Sequence, residues 1–143
     1  MNRNRLFVVS VLVVCALAAV AVGAGGGKAV VIPKADLQWK ETGIPKVSVA
    51  VVDGDMAKGP SHFYLKYGVG LVTPTHHHTA DHYVTVVSGT LTLTANGKEQ
   101  RLGPGSYFAF TDGAVHSARV DGSEDAVMFV DARGAWDVVP EKQ

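Results

Sequence analysis

The rhythm of apolar residues changes twice along the chain, and each change marks a different kind of segment. Residues 6–22 are one apolar run, interrupted only by Ser10. From Lys28 to about Pro45 no period is visible; Pro33, Gly43 and Pro45 break the text, and Trp39 is the one large apolar residue that can anchor it. Beyond Lys46 apolar and polar residues come in short bursts at 47–52, 63–67, 82–87, 90–95, 107–110, 116–120 and 126–130, nearly all separated by turn residues, which predicts seven strands. The clearest is 90–95, where Leu91, Leu93 and Ala95 share one face and Thr90, Thr92 and Thr94 the other, as in a half-buried antiparallel strand. Asn96-Gly97 follows it, a pair that tolerates positive φ at both positions and so predicts a tight type I′ hairpin. Gly103-Pro104-Gly105 marks another reversal. After residue 28 no stretch sustains the i, i+3, i+4, i+7 spacing of an amphipathic helix, so the class is all-β. Periodicity alone leaves sandwich, closed barrel and jelly roll open.

The apolar run at 6–22 has Arg3 and Arg5 before it, no acid, and Val22-Gly23-Ala24 after it, which reads as a cleaved secretion leader over residues 1–24. A retained anchor is the competing reading, since the run sits at the lower limit for a membrane-spanning helix; the glycines at 23 and 25–27 favour cleavage. The only cysteine, Cys15, lies in mid-run behind Val14, which disfavours lipidation and leaves the exported part without thiols. The expected location is therefore the periplasm or the medium.

With 143 residues there is room for one core. Once Arg3 and Arg5 are set aside, the 13 Lys and Arg of the chain fall just below its 13 Asp and Glu, and no basic run follows Lys28. That excludes nucleic acid and, after leader cleavage, a membrane surface as partners.

Five of the six histidines fall in two places: His76, His77, His78 and His82, then His116 at the start of another strand. Residues two apart in an extended segment point the same way, so His76 and His78 aim at one point while His77 faces outward. His82 has the same parity and joins them if Thr79-Ala80-Asp81 bends; otherwise it lies behind a three-histidine site completed by Asp81 or water. His62, beside Pro60 and Ser61, stands apart. Tyr83, Tyr107, Phe108, Phe110 and Phe129 line a pocket or simply fill the core. Asp81, Glu124 and Asp125 are the candidate proton-transfer groups, although Gly122-Ser123-Glu124-Asp125 also reads as a solvated turn. Whether Lys66 faces inward is open.

These residues resemble the two motifs of the cupin superfamily. Gly70, His76, His78 and Gly89 fit the first, with His82 in the place of its glutamate; Gly105, Gly113 and His116 fit the second, with Thr111 and Val120 replacing its proline and asparagine. The resemblance implies a double-stranded β-helix, or jelly-roll barrel, over 46–143 with an arm over 25–45. It also implies a homodimer and one divalent metal ion held by His76, His78, His82 and His116. Four neutral imidazoles leave the 2+ charge uncompensated and favour an anionic ligand; imidazole suits Zn, Cu, Ni and Fe, and cupins also take Mn. Two functions follow: a metal-dependent oxidoreductase of the dioxygenase kind acting on a small anionic or oxygen-rich molecule, or a non-catalytic domain that binds or senses such a molecule. An ion that only staples a barrel without disulfides is a third reading. A sugar-phosphate isomerase is disfavoured, because it would want Lys or Arg inside and Arg119 alternates away from His116.

Overall fold

The computed structural model describes residues 27–142; the leader expected over 1–24 lies outside the described residues. Two antiparallel sheets enclose one core. The first has the order β1 (Lys40–Glu41), β2 (Val47–Gly54), β3 (Ser61–Tyr67), β10 (Ala126–Ala132), β5 (His82–Ser88), β8 (Tyr107–Phe110). The second runs β11 (Val139–Pro140), β4 (His76–His77), β9 (His116–Arg119), β6 (Leu91–Ala95), β7 (Lys98–Leu102). Among the described residues the only helical turn is a three-residue 3-10 turn at Lys34–Asp36, and no helix is long and apolar enough to cross a membrane.

Each of the seven expected strands is present, because each puts a row of apolar side chains on one face. On β10, Ala126, Met128, Val130 and Ala132 are all buried and meet Phe63 and Leu65 of β3 and Val84 and Val86 of β5. Burial of such rows supplies most of the driving force, at roughly 25 cal/mol per Å² of apolar surface. The threonine face of β6 departs from the simple alternation: Thr92 is buried as deeply as its leucine neighbours, its hydroxyl directed at the Asp121 carboxylate. Asn96 and Gly97, at φ of 50° and 70°, close the β6–β7 hairpin in the expected left-handed conformation. At Gly89 the chain passes so close to the backbone of Asp125 that an added Cβ would stand 2.1 Å from its carbonyl oxygen.

The arm is not wholly irregular. Lys40 and Glu41 pair with Val49 and Ser48, and Ser48 donates to the Glu41 carboxylate at 2.9 Å, which extends the first sheet by one short strand. Trp39 anchors from outside the barrel, with the Lys66 ammonium 4.8 Å above its ring, so Lys66 does not serve the interior.

Candidate metal centre

Four imidazoles converge between the two sheets. His76 opens β4 and faces His116, which opens β9 as its direct cross-strand partner. His78 follows β4, the chain bends at Thr79 and Ala80, and His82 opens β5 in the opposite sheet. All four are buried, at 3–6% exposure. Ring centroids lie 4.4 Å apart for His76 and His116, 5.0 Å for His76 and His78, and 4.6 Å for His78 and His82.

Each ring has one nitrogen already committed. His76 Nδ1 meets the Pro74 carbonyl at 2.8 Å, His82 the Ala80 carbonyl at 3.1 Å, and His116 the Ala114 carbonyl at 2.9 Å, in each case two residues back along the chain. His78 reaches instead to the Asp137 carbonyl in the C-terminal segment. A carbonyl only accepts, so Nδ1 carries the proton in all four rings and Nε2 is left with its lone pair. Burial, and then the neighbouring His82, drive the His78 pKa down to about 3; burial takes His116 down to about 4 and also lowers His82. These three rings are therefore held in the neutral form, the one that ligates metal.

Ligand nitrogens of His76, His78 and His116 lie within 4.8 Å of one another, a group able to hold a metal ion. His82 is outside that tight group while sharing its cavity. Buried, neutral, pre-oriented imidazoles with a carbonyl behind each Nδ1 are the donor set that Zn, Cu, Ni, Fe or Mn would use here.

Two aromatic rings hold the histidines in place. Phe110 stacks on His116 at 3.8 Å between centroids and 6° between planes, and Trp136 lies 4.0 Å from His78 and 5.1 Å from Phe63. The space between the imidazoles and the core leucines is only about 30 Å³, enough for an ion and little more. It adjoins a larger vestibule of about 510 Å³, with Leu65, Tyr67, His76, His78 and Trp136 lining both spaces.

Other candidates from the sequence have different places. His77 turns outward and pairs with Glu141 at 2.6 Å; His62 sits on the outer face between Asp53 and Asp131. Asp81 accepts from the Asp112 N–H and Asp125 from the Val69 N–H, both at 3.0 Å, so these carboxylates brace loops. Arg119 is engaged by Glu99 at 2.6 and 2.7 Å. Phe108 and Phe110 line the inner cavity, whereas Tyr107 is exposed, Phe129 packs on Tyr64, and Tyr83 carries the Arg133 guanidinium. Trp136, Asp137 and Tyr67 were not singled out from the sequence. The first two lie in a segment with no periodicity, where a lone tryptophan is the only signal; Tyr67 shares the inward parity of Phe63 and Leu65 and reads as core.

The family described as Cupin domain matches residues 63–132, the stretch that carries all four buried histidines. The polyketide cyclase RemF from Streptomyces resistomycificus superposes with a TM-score of 0.66 at 18% identity, over 78% of this chain and 84% of that one. The chain belongs to the cupin superfamily. This cupin is also similar to the DMSP lyase DddQ from Ruegeria pomeroyi, with a TM-score of 0.62 at 21% identity over 76% and 64% of the two chains. A predicted oxalate decarboxylase from Thermotoga maritima gives 0.62 at 17% identity over 73% and 98%. At such identities the likeness fixes the fold. In sequence, the cupin is 33% identical over 81 residues to a DNA damage-repair/toleration protein of Arabidopsis thaliana, over 55% of this chain. It spans only about a quarter, 26%, of that relative's length.

The cupin's departures from the family motifs have local explanations. Val120, in the place of the motif asparagine, is core at 1% exposure, and its backbone bonds to Leu71 and Gly70 at 2.9 and 2.8 Å. Thr111, in the place of the proline, starts a turn through Asp112 and Gly113 at positive φ that delivers His116 to the centre.

Proposed function

We propose that this cupin is an exported, metal-dependent oxidoreductase of the dioxygenase kind that acts on a small oxygen-bearing molecule at a divalent ion held by His76, His78, His116 and His82. The observation that carries the reading is the set of four buried imidazoles whose Nδ1 protons are all given to carbonyls. Bound there, the ion would supply Lewis acidity and a coordination position for an oxygen of the substrate. The protein's own part is to keep the rings neutral and aimed, to exclude bulk water, and to admit the substrate through the vestibule. Among the described residues no Lys or Arg lines either space, so attraction for a negative group falls to the ion. The reactions named for the similar structures are a cyclisation, a lyase reaction and a decarboxylation, so the fold by itself does not choose among chemistries.

A specific observation favours a second reading, a domain that binds or senses without turnover. His82 stands where the family motif has its carboxylate, and the one acid lining the vestibule, Asp137, has its carboxylate bound to Thr79 at 2.6 and 2.8 Å. That leaves, among the described residues, no free carboxylate lining the centre or its vestibule to take a proton.

The deciding experiment is elemental mass spectrometry on protein expressed without a histidine tag, followed by oxygen-consumption assays. A near-stoichiometric ion is expected, lost in the His76→Ala/His78→Ala double variant and retained more weakly in His82→Ala. Undiminished metal in the double variant sinks the site. Bound Fe, Mn or Cu with oxygen uptake supports the oxidoreductase, and binding without turnover supports the second reading.

A further inference from the structure

The vestibule is almost entirely apolar, and its polar side chains are nearly all occupied. Ile44, Val47, Val49, Leu71, Val72 and Val138 make up much of its wall. Of its hydroxyl and carboxyl groups, Thr42 donates to the Val47 carbonyl at 3.0 Å, Thr73 is held by the Ala118 N–H at 2.8 Å, and Asp137 is bound to Thr79. Tyr67 differs. Its side chain lies on the inward face of β3, bordering both the vestibule and the histidine cavity, and burial pushes its phenol pKa up to about 12, so it keeps its proton. Among the described residues only Ser61 Oγ is a fully buried side-chain polar atom without a partner, so the Tyr67 hydroxyl is not sealed in the core but opens onto the cavity. A phenol that keeps its proton and faces the cavity can donate it to a ligand oxygen.

We propose that the vestibule takes a molecule with an apolar body of aromatic size and a carbonyl-type oxygen, and that the Tyr67 hydroxyl donates a hydrogen bond to that oxygen beside His76 and His78. A cavity of about 510 Å³ falls within the range of small-molecule sites, of the order of 300–1,000 Å³. Among the described residues its wall carries no Lys or Arg, which disfavours compact dianions, since these would have only the innermost end to recognise them. The assignment rests on the histidine centre being the reacting end of the cavity, and it makes Tyr67 a specificity-determining residue: a site that donates a hydrogen bond to its ligand discriminates against the analogue that lacks the acceptor.

Calorimetric titration with acetophenone and with ethylbenzene, its near-isosteric hydrocarbon, separates the possibilities, using native protein and Tyr67→Phe, each with its metal content measured. Acetophenone is expected to bind the native protein and to weaken roughly three- to tenfold in Tyr67→Phe, the worth of one neutral hydrogen bond. Ethylbenzene binding and metal content are expected to stay unchanged. The proposal is overturned if acetophenone does not bind, if its affinity is the same in both proteins, or if both ligands weaken equally, which would make Tyr67 a packing residue. Failure of the metal reading shows separately, as native protein without an ion, whatever the titrations give.

Discussion

At the residue scale the chemistry turns on how each imidazole is tethered. Three of the four tethers are local, a carbonyl two residues back, so they form as soon as the turn before each histidine forms. Keeping these rings neutral in a buried space has a consequence for stability. The unfolded chain binds protons on His78 and His116 as pH falls through about 6.5, whereas the folded, metal-free protein declines them down to about 3 and 4. Stability is thus complete above pH 6.5 and is lost progressively below it. Thermal unfolding of chelator-treated protein should show a midpoint several degrees lower at pH 5 than at pH 7.5, and equal midpoints would contradict the burial of the rings. That His76 and His78 face the same way was legible from parity, since an extended backbone makes it visible, whereas His116 was legible only through the cupin motif. Tyr67 was not, because nothing in a sequence tells an inward tyrosine with a partner from one without.

Among elements, the strands that were hardest to foresee are those that do not bury a face. β7 is exposed along nearly its whole length and reads Lys98-Glu99-Gln100-Arg101-Leu102; it exists because the Asn96-Gly97 turn folds it onto β6. β4 and β11 are two residues each, too short for any period, and each is held by pairing with the other, β4 also with β9. This small arrangement is fastened at its end by Asp137, whose carboxylate burial opposes charge but whose two bonds from Thr79 outweigh it and hold the group below the usual carboxylate range. Asp137→Ala keeps the carbonyl that meets His78 but frees the segment that carries it. Metal affinity should fall about tenfold or more while circular dichroism stays native, and unchanged affinity in a chelator competition would show that the segment does not position His78.

For the molecule as a whole, the all-β class and the barrel were legible because turn signals and inward rows repeat from Val47 to Ala132, and the motif glycines marked where it must turn. The role of the C-terminal segment was not, since His78 and Asp137 are 59 residues apart and their contact depends on the closed fold. Export and self-association belong to this scale. Native mass spectrometry of protein recovered from the periplasm is expected to show a chain beginning after Ala24, present as two copies; a full-length chain would mean that the leader is retained, and a single copy would remove the homodimer. The segment from Trp136 onward brings to the centre one ring against His78, one carbonyl for its Nδ1, and one strand beside His76, all within residues 136–140. Exposed Arg133 lies just ahead of it. A single cut there is expected to detach all three supports while the paired strands within residues 47–132 stay folded, so the integrity of this segment and the retention time of a bound ion become one quantity, and a partly clipped preparation is expected to release its ion at two rates.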